Sequence, residues 1–179
     1  SYTGSESSYD LPRQSVEATV NYMTNLLDVV INSNHLPWAY TGSEAAAETG
    51  HWTKAGAMAL KCKILAFAAS PLFNDSKSYF AGKYTTDKDD CAWYGGYKPE
   101  LWQKLKNACA DFFAQMNSNG HYHLVQPLGT TQEDYRYAFR SGYIQENSPE
   151  ILHSIRVSNK AHYNDYLWYF LGWGNSANG

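Results

Sequence analysis

Apolar residues recur at helical spacing in three stretches of the chain. In the first stretch they follow one another every three or four residues and so lie on one face of a helix: Val16, Val20, Met23, Leu27 and Val30. Ser15 stands just before them as a candidate N-cap, and Glu17 would face the positive end of the helix dipole. The pattern predicts an amphipathic helix that begins after Ser15 and ends near residues 32–34, before Pro37.

The second stretch, TKAGAMALKCKILAFAASPLF at residues 53–73, is rich in alanine. Thr53 is its candidate N-cap, and the serine before Pro71 is pushed out of the helical region by the proline ring, which ends the helix there. Its apolar stripe has helical spacing: Ala57, Leu60, Ile64, Phe67 and Ala68. Small residues extend the apolar surface around most of this helix. Because neighbouring backbones can then approach closely, we expect it to be the central helix of a bundle.

The third stretch predicts a long, regular helix. Pro99 stands at or near its first turn, and Gly120 behind it is a C-cap signal. Its apolar residues are Leu101, Trp102, Leu105, Ala108, Cys109, Phe112, Phe113 and Met116. Between the second and third helices, residues 72–98 lack periodicity, and loops of this length are usually functional or disordered. The aromatic residues around Gly95-Gly96 favour a structured loop.

Beyond the third helix the pattern becomes irregular. HYHLV and YRYAF are short and suggest extended chain, and EILHSIRV fits a strand or a short helix. We therefore expect an all-α protein with long irregular loops and minor short strands. Residues 1–179 are interpreted as one partial domain, with a helical core at about 11–120 and an irregular, aromatic-rich segment at about 121–179.

The pentapeptide YTGSE occurs twice, from Tyr2 and again from Tyr40. The offset of 38 residues equals the distance between the two candidate caps, Ser15 and Thr53. Paired helices at a period of about 34 to 40 residues are typical of helical repeat proteins. The flanking sequences share little, so a repeat and a chance coincidence both stay open.

Composition and charge exclude several classes of protein. The formal net charge of −3 gives no broad positive field, so we expect no nucleic-acid partner. No run approaches the roughly 20 apolar residues that cross a bilayer, and the first residues lack the regions of a signal peptide. We therefore expect any export signal or anchor to lie outside this chain. Of the three cysteines, Cys62 and Cys109 lie among apolar positions and are interpreted as small core residues.

The chain lacks a recognisable catalytic or metal-binding motif. Acidic residues come in near pairs, each within a polar stretch: Glu44 and Glu48, Asp87 to Asp90, Glu133 and Asp134, and Glu146 and Glu150. Glycoside cleavage needs two carboxylates about 5 to 10 Å apart with one pKa raised by burial, which solvated pairs do not provide. The run from Asp87 lacks the glycine and glutamate of a calcium loop, and His121 and His123 have no evident third ligand. We expect no enzymatic activity, no cofactor and no metal.

Aromatic residues make up 16% of the chain, with 15 Tyr and 6 Trp. Such rings suit cores, interfaces and sugar-binding surfaces alike, because a sugar presents apolar C–H faces ringed by hydroxyl groups. The candidate ligand-binding rings lie in the long loop and in the tail: Trp93, Tyr94, Tyr97, Tyr163, Tyr166, Trp168 and Tyr169. The alternative is that most of these rings fill the core or contact other parts of the protein.

Four segments, in this order along residues 11–155, resemble the SusD/RagB-like family. They are LPRQSVEATVNYMTNLLDVVINSNHLP, GHWTKAGAMALKCKILAFAASPLFN, LWQKLKNACADFFAQMNSNGHYHLV and ENSPEILHSI. The second is the most characteristic of the family: a glycine, then threonine-lysine, an alanine-rich helix and SPLF. Two positions depart from the family pattern, Asn25 in place of an acidic residue and His51 in place of a basic one.

The resemblance implies a scaffold of tetratricopeptide-like helix pairs, with irregular segments that carry the ligand site. Members of this family are surface lipoproteins of the Bacteroidetes outer membrane that capture glycans beside a SusC-like TonB-dependent transporter. Because they are longer, this chain is expected to be a middle portion whose lipid anchor lies outside it. We expect non-catalytic glycan binding for nutrient uptake, with the glycan and the transporter as partners. Two alternatives stay open: a scaffold that mainly docks on proteins, and a fragment of an all-α glycoside hydrolase.

Overall fold

The computed structural model describes residues 13–48, 50–79, 92–145 and 148–154. These ranges contain five helices: α1 (Val16–Asn32), α2 (Glu44–Glu48), α3 (Lys54–Ala69), α4 (Glu100–Asn119) and α5 (Gln132–Ile144). The all-α prediction is confirmed, and the expected short strands do not occur in the described residues. None of the described helices is both long and apolar enough to cross a membrane.

Two N-caps expected from the sequence are confirmed. The Ser15 hydroxyl accepts a hydrogen bond from the backbone N–H of Ala18 (3.1 Å), which caps α1. The Thr53 hydroxyl accepts one from the backbone N–H of Gly56 (3.1 Å), which caps α3. Each hydroxyl satisfies one of the amides that a helix leaves without a partner in its first turn.

The expected ends of the long helices are also confirmed. α1 ends at Asn32, and α3 ends at Ala69, two residues before Pro71. α4 follows Pro99 and stops at Gly120, which has a φ of 66°. Glycine adopts this conformation readily because it has no Cβ.

α3 is the central helix, as the alanine-rich stretch predicted, because it packs against both α1 and α4. One core cluster joins the C-terminal end of α3 to its neighbours: Val20, Ala68, Ala69, Tyr94 and Leu101. A second cluster joins the N-terminal half of α3 to α1 and α4: Ile31, Ala57 and Met58, with Phe112 packed against them. Most buried residues of α3 are alanine or glycine, so its backbone lies close to the neighbouring helices.

Three aromatic residues that were expected to face the core lie at the surface instead. Phe67 of α3 is exposed, with its ring against Phe73 (centroids 4.9 Å apart), and Trp102 and Phe113 of α4 are exposed as well. The helices meet through small side chains such as Ala108, and the ring of Phe112 fills the space beside them, so these three rings remain at the surface.

YRYAF is helical, and the expectation of extended chain there was wrong. It lies within α5, whose start is fixed by a capping box between Thr131 and Asp134. The Thr131 hydroxyl accepts from the Asp134 N–H (3.3 Å), and the Asp134 carboxylate accepts from the Thr131 N–H (2.9 Å). The alternating aromatic residues suggested a strand, whereas the small, buried residues recur at helical spacing: Ala138, Ser141 and Gly142. HYHLV and the described part of EILHSIRV form neither helix nor strand.

The long loop between α3 and α4 is closed at its base by Asn74. Its amide N–H donates to the backbone carbonyl of Lys98 (3.0 Å), and its side-chain oxygen accepts from the Lys98 N–H (2.6 Å). Nearby, the N–H of Tyr94 donates to the carbonyl of Phe73 (2.9 Å). These bonds join the two ends of the loop and so fix the start of α4 relative to the end of α3.

Candidate functional site

The three candidate rings of the long loop lie in different environments. Trp93 is half-buried, Tyr94 is buried with 8% of its surface exposed, and Tyr97 is 56% exposed. The indole N–H of Trp93 is buried and has no hydrogen-bond partner among the described residues. Of the three, Tyr97 offers the most ring surface to a ligand.

Tyr94 belongs to the core. Its ring packs with Val20 and Leu101, and the ammonium group of Lys98 lies 5.4 Å from the ring centroid. Burial, and secondarily the negative charge of Glu17, raises the pKa of Tyr94 to about 12. Tyr94 therefore stays neutral under physiological conditions and anchors the end of the loop to the helices.

The remaining candidate rings lie outside the described residues: Tyr163, Tyr166, Trp168 and Tyr169. For all seven rings named from the sequence, a role in ligand binding stays a prediction.

A groove of about 880 Å³ lies between α3 and α5. Its lining comes from these two helices, from Trp52 just before α3, and from two irregular segments, residues 124–126 and 150–154. We call it the α3–α5 groove. Its volume is within the range of about 300–1,000 Å³ that is common for ligand sites.

Three aromatic side chains line the α3–α5 groove. Phe139 and Tyr143 are one turn apart on α5, with ring planes 4° from parallel and centroids 6.3 Å apart. They are 75% and 81% exposed, respectively. Trp52, just before α3, stacks on His153 with centroids 4.2 Å apart and planes 10° from parallel. Exposed, flat rings of this kind offer apolar faces to a ligand.

Polar groups lie beside these rings, among them Lys63, Gln126 and Glu150. A Glu150 carboxylate oxygen accepts from the backbone N–H of Val125 (2.7 Å), which ties the two irregular lining segments together. A Cβ at position 142 would come within 2.6 Å of the same carboxylate. α5 can therefore lie against Glu150 because Gly142 has no side chain.

A smaller cavity of about 230 Å³ shares residues 151–154 with the α3–α5 groove. His51, His121 and His153 line it. His51 Nδ1 is 2.5 Å from a carboxylate oxygen of Glu48, and His121 has a φ of 71°, which few residues other than glycine adopt. In the described ranges, no three His, Cys, Asp or Glu side chains are grouped so that they could hold a metal ion.

The acidic pair at the start of α5 has a structural role. Glu133 forms an exposed ion pair with an arginine one turn later, and Asp134 belongs to the capping box. Hydrogen bonds from Thr131 lower the pKa of the Asp134 carboxyl below its usual value. A general acid in glycoside cleavage needs the opposite shift. Residues 87–90 and Glu146, from the other acidic pairs, lie outside the described part of the chain.

The sequence contained two signals for the α3–α5 groove that the strand interpretation obscured. The segment TTQED, at residues 130–134, has the spacing of a capping box and marks the start of a helix. Phe139 and Tyr143 are four residues apart, so on a helix their side chains are neighbours. On a strand their Cα atoms would lie about 13 Å apart, so the two rings would not be neighbours.

Comparison with known proteins supports the fold. No protein-family model and no curated protein matches the sequence. The solved structure of BT4246, a Bacteroides thetaiotaomicron protein, is similar over 80% of this chain, with 21% sequence identity and a TM-score of 0.53. This chain spans 27% of the length of BT4246. At this level of identity the likeness concerns the fold: the chain folds like part of a larger protein.

Proposed function

We propose that this chain is the helical core of a glycan-binding protein of the SusD/RagB-like type, which captures oligo- or polysaccharides without cleaving them. The α3–α5 groove is the observation that carries the proposal, because exposed aromatic faces lie there beside hydrogen-bonding groups. The four sequence motifs and the fold likeness to BT4246 support it. The proposed setting is the outer membrane, with a lipid anchor outside this chain and a SusC-like TonB-dependent transporter as partner.

The chemistry of the groove suits a sugar. The apolar face of a sugar ring stacks on Tyr143 or Trp52, while hydroxyl groups bond to the ammonium of Lys63 and the amide of Gln126. Capture of this kind requires shape and hydrogen bonds but no group that transfers a proton. We therefore propose a binding protein rather than an enzyme.

Titration of the intact protein with purified starch, xylan, mannan and pectin by isothermal calorimetry tests the site. The double variant Phe139→Ala/Tyr143→Ala should weaken saturable binding at least about tenfold, because burial of one such ring contributes roughly 1.5–3 kcal/mol. The matched control, Phe113→Ala/Tyr22→Ala, removes exposed rings outside the groove and should leave the affinity unchanged.

Unchanged binding in the groove variant would place the sugar elsewhere. Trp93→Ala and Trp168→Ala then test the loop and the tail. Release of reducing ends from any of the four polysaccharides would contradict a purely binding role and favour the glycoside hydrolase alternative.

Protein docking is the second candidate function, and one face of α1 favours it. Tyr22, Leu26 and Val29 are exposed and spaced by four and three residues, so they form an apolar stripe. The occupant we propose is the SusC-like transporter. Leu26→Asp/Val29→Lys should reduce co-purification of the transporter with this protein and leave glycan affinity intact. Unchanged co-purification would show that the transporter does not dock on this stripe of α1.

A further inference from the structure

Cys62 on α3 and Cys109 on α4 are free, half-buried thiols. We propose that they are a redox-active pair, which forms a reversible disulfide between α3 and α4 when the protein meets a disulfide oxidant. Neither residue lines the α3–α5 groove, so the proposal does not depend on glycan binding.

The packing of α3 on α4 brings the two cysteines to the same level of the interface. Near one end of the interface, Ala69 clusters with Leu101. Near the other end, Met58 packs with Phe112. The two helices therefore run in opposite directions, and this register puts the cysteines, which lie between these contacts, across from each other.

Two observations at or beside the cysteines agree with this register. Lys61 and Ala108, each directly before one of the cysteines, line the same cavity of about 370 Å³, which lies between α1, α3 and α4. The Cys109 thiol lies close enough to Cys62 to help raise the pKa of its thiol. A disulfide requires Cα atoms about 4.4–6.8 Å apart, and the small residues of α3 permit this close approach of backbones.

The environment keeps the pair reduced until an oxidant acts on it. Burial raises the pKa of the Cys62 thiol to about 12, and the hydrogen bond and charge of Cys109 act in the same direction. Since the thiolate is the reactive form, the pair reacts slowly at neutral pH. The first attack on a disulfide oxidant is therefore the slow step. Once the mixed disulfide has formed, the second attack is intramolecular and completes the bond.

The exchange balances with oxidised glutathione as the oxidant. One cysteine thiolate attacks a glutathione sulfur, which forms a mixed disulfide and releases one glutathione. The other cysteine then attacks the protein sulfur of that mixed disulfide and releases the second glutathione. Two electrons pass to glutathione, and the two thiol protons end on the released thiols.

Peptide mapping of the intact protein tests the proposal. The protein is equilibrated in oxidised glutathione, quenched in acid, alkylated and digested with chymotrypsin. We expect the fragments KCKIL (61–65) and KNACADF (106–112) to appear as one linked species, two hydrogens lighter than their sum. Reduction should separate them and lower the melting temperature by about 4 °C or more.

Variants separate this pair from the third cysteine. Cys91→Ser should keep both the linked species and the melting shift. Cys62→Ala and Cys109→Ala should lose both, while their circular dichroism spectra stay helical. Complete alkylation of both fragments in oxidised Cys91→Ser protein would overturn the proposal. So would equal cross-linking in urea, because the reaction would then not depend on the native packing.

Discussion

Replacement of Asn74 by alanine should destabilise the protein by about 2–3 kcal/mol. Asn74 is only 2% exposed, and its side chain bonds to both the N–H and the carbonyl of Lys98. Each bond contributes about 1 kcal/mol net, and a backbone group left without a partner adds about 1–3 kcal/mol. Lys98 is only partly buried, so water can reach part of the vacated space. The expected loss therefore lies near the lower end of the sum.

Urea denaturation of the intact protein, followed by circular dichroism, measures this change in the free energy of unfolding. Hydrogen exchange at the Lys98 amide reports the local effect, and we expect it to accelerate in Asn74→Ala. Asn74→Asp keeps the acceptor but loses the donor, so its loss should be intermediate.

The matched control is Asn107→Ala, which removes an exposed amide that accepts a hydrogen bond from Gln103 on the surface of α4 (2.8 Å). It should change the free energy of unfolding by no more than about 0.5 kcal/mol. If Asn74→Ala costs no more than this control, and exchange at the Lys98 amide is unchanged, Asn74 does not close the loop.

Three further predictions concern the core, a helix end and a thiol. Leu101→Ala should lower the free energy of unfolding, measured in urea, by about 3 kcal/mol, because Leu101 is only 3% exposed. The control Leu128→Ala, at an 83% exposed position, should be nearly neutral, and equal losses in the two variants would show that Leu101 is not a core residue. Gly120→Ala should lower the free energy of unfolding by about 1–3 kcal/mol, since alanine is strained at φ 66° and ψ −148°. An unchanged free energy of unfolding would show that residue 120 does not have this backbone conformation at the end of α4. Because the pKa of Cys62 is raised from 9.0 to about 12, iodoacetamide should alkylate it at pH 8 at least about tenfold more slowly in the folded protein than in urea. The protonated thiol favours the folded state, so its contribution to stability is present below about pH 9 and is lost as the pH rises towards 12.

The scaffold was predictable from the sequence because its signals are local. Ser15 and Thr53 cap their helices through bonds to residues three positions away, and Pro71 and Gly120 end helices through their own backbone preferences. The central position of α3 followed from its small residues. Each of these inferences needed only a few neighbouring residues.

The candidate site was less predictable because it depends on contacts between distant segments. No pattern in the sequence indicates that Glu150 bonds to Val125, 25 residues earlier, or that it lies against Gly142. Tyr94 was grouped with Trp93 and Tyr97 by position in the loop, yet it is buried against α1, α3 and α4. Ring content identifies candidates, but long-range packing decides which faces remain exposed.

The same small residues that make α3 a central helix also account for the groove along its N-terminal half. Where α1 and α4 approach α3, alanine and glycine let the helices come close. Among the described helices, α5 packs closely against none. The segment 150–154 approaches both helices instead, with Leu152 beside Gly56 of α3 and Glu150 beside Gly142 of α5. On that side Ala59 has no large side chain to fill the gap, so a concave surface remains. The exposed rings of Phe139 and Tyr143 then border a space that the composition of α3 has left open.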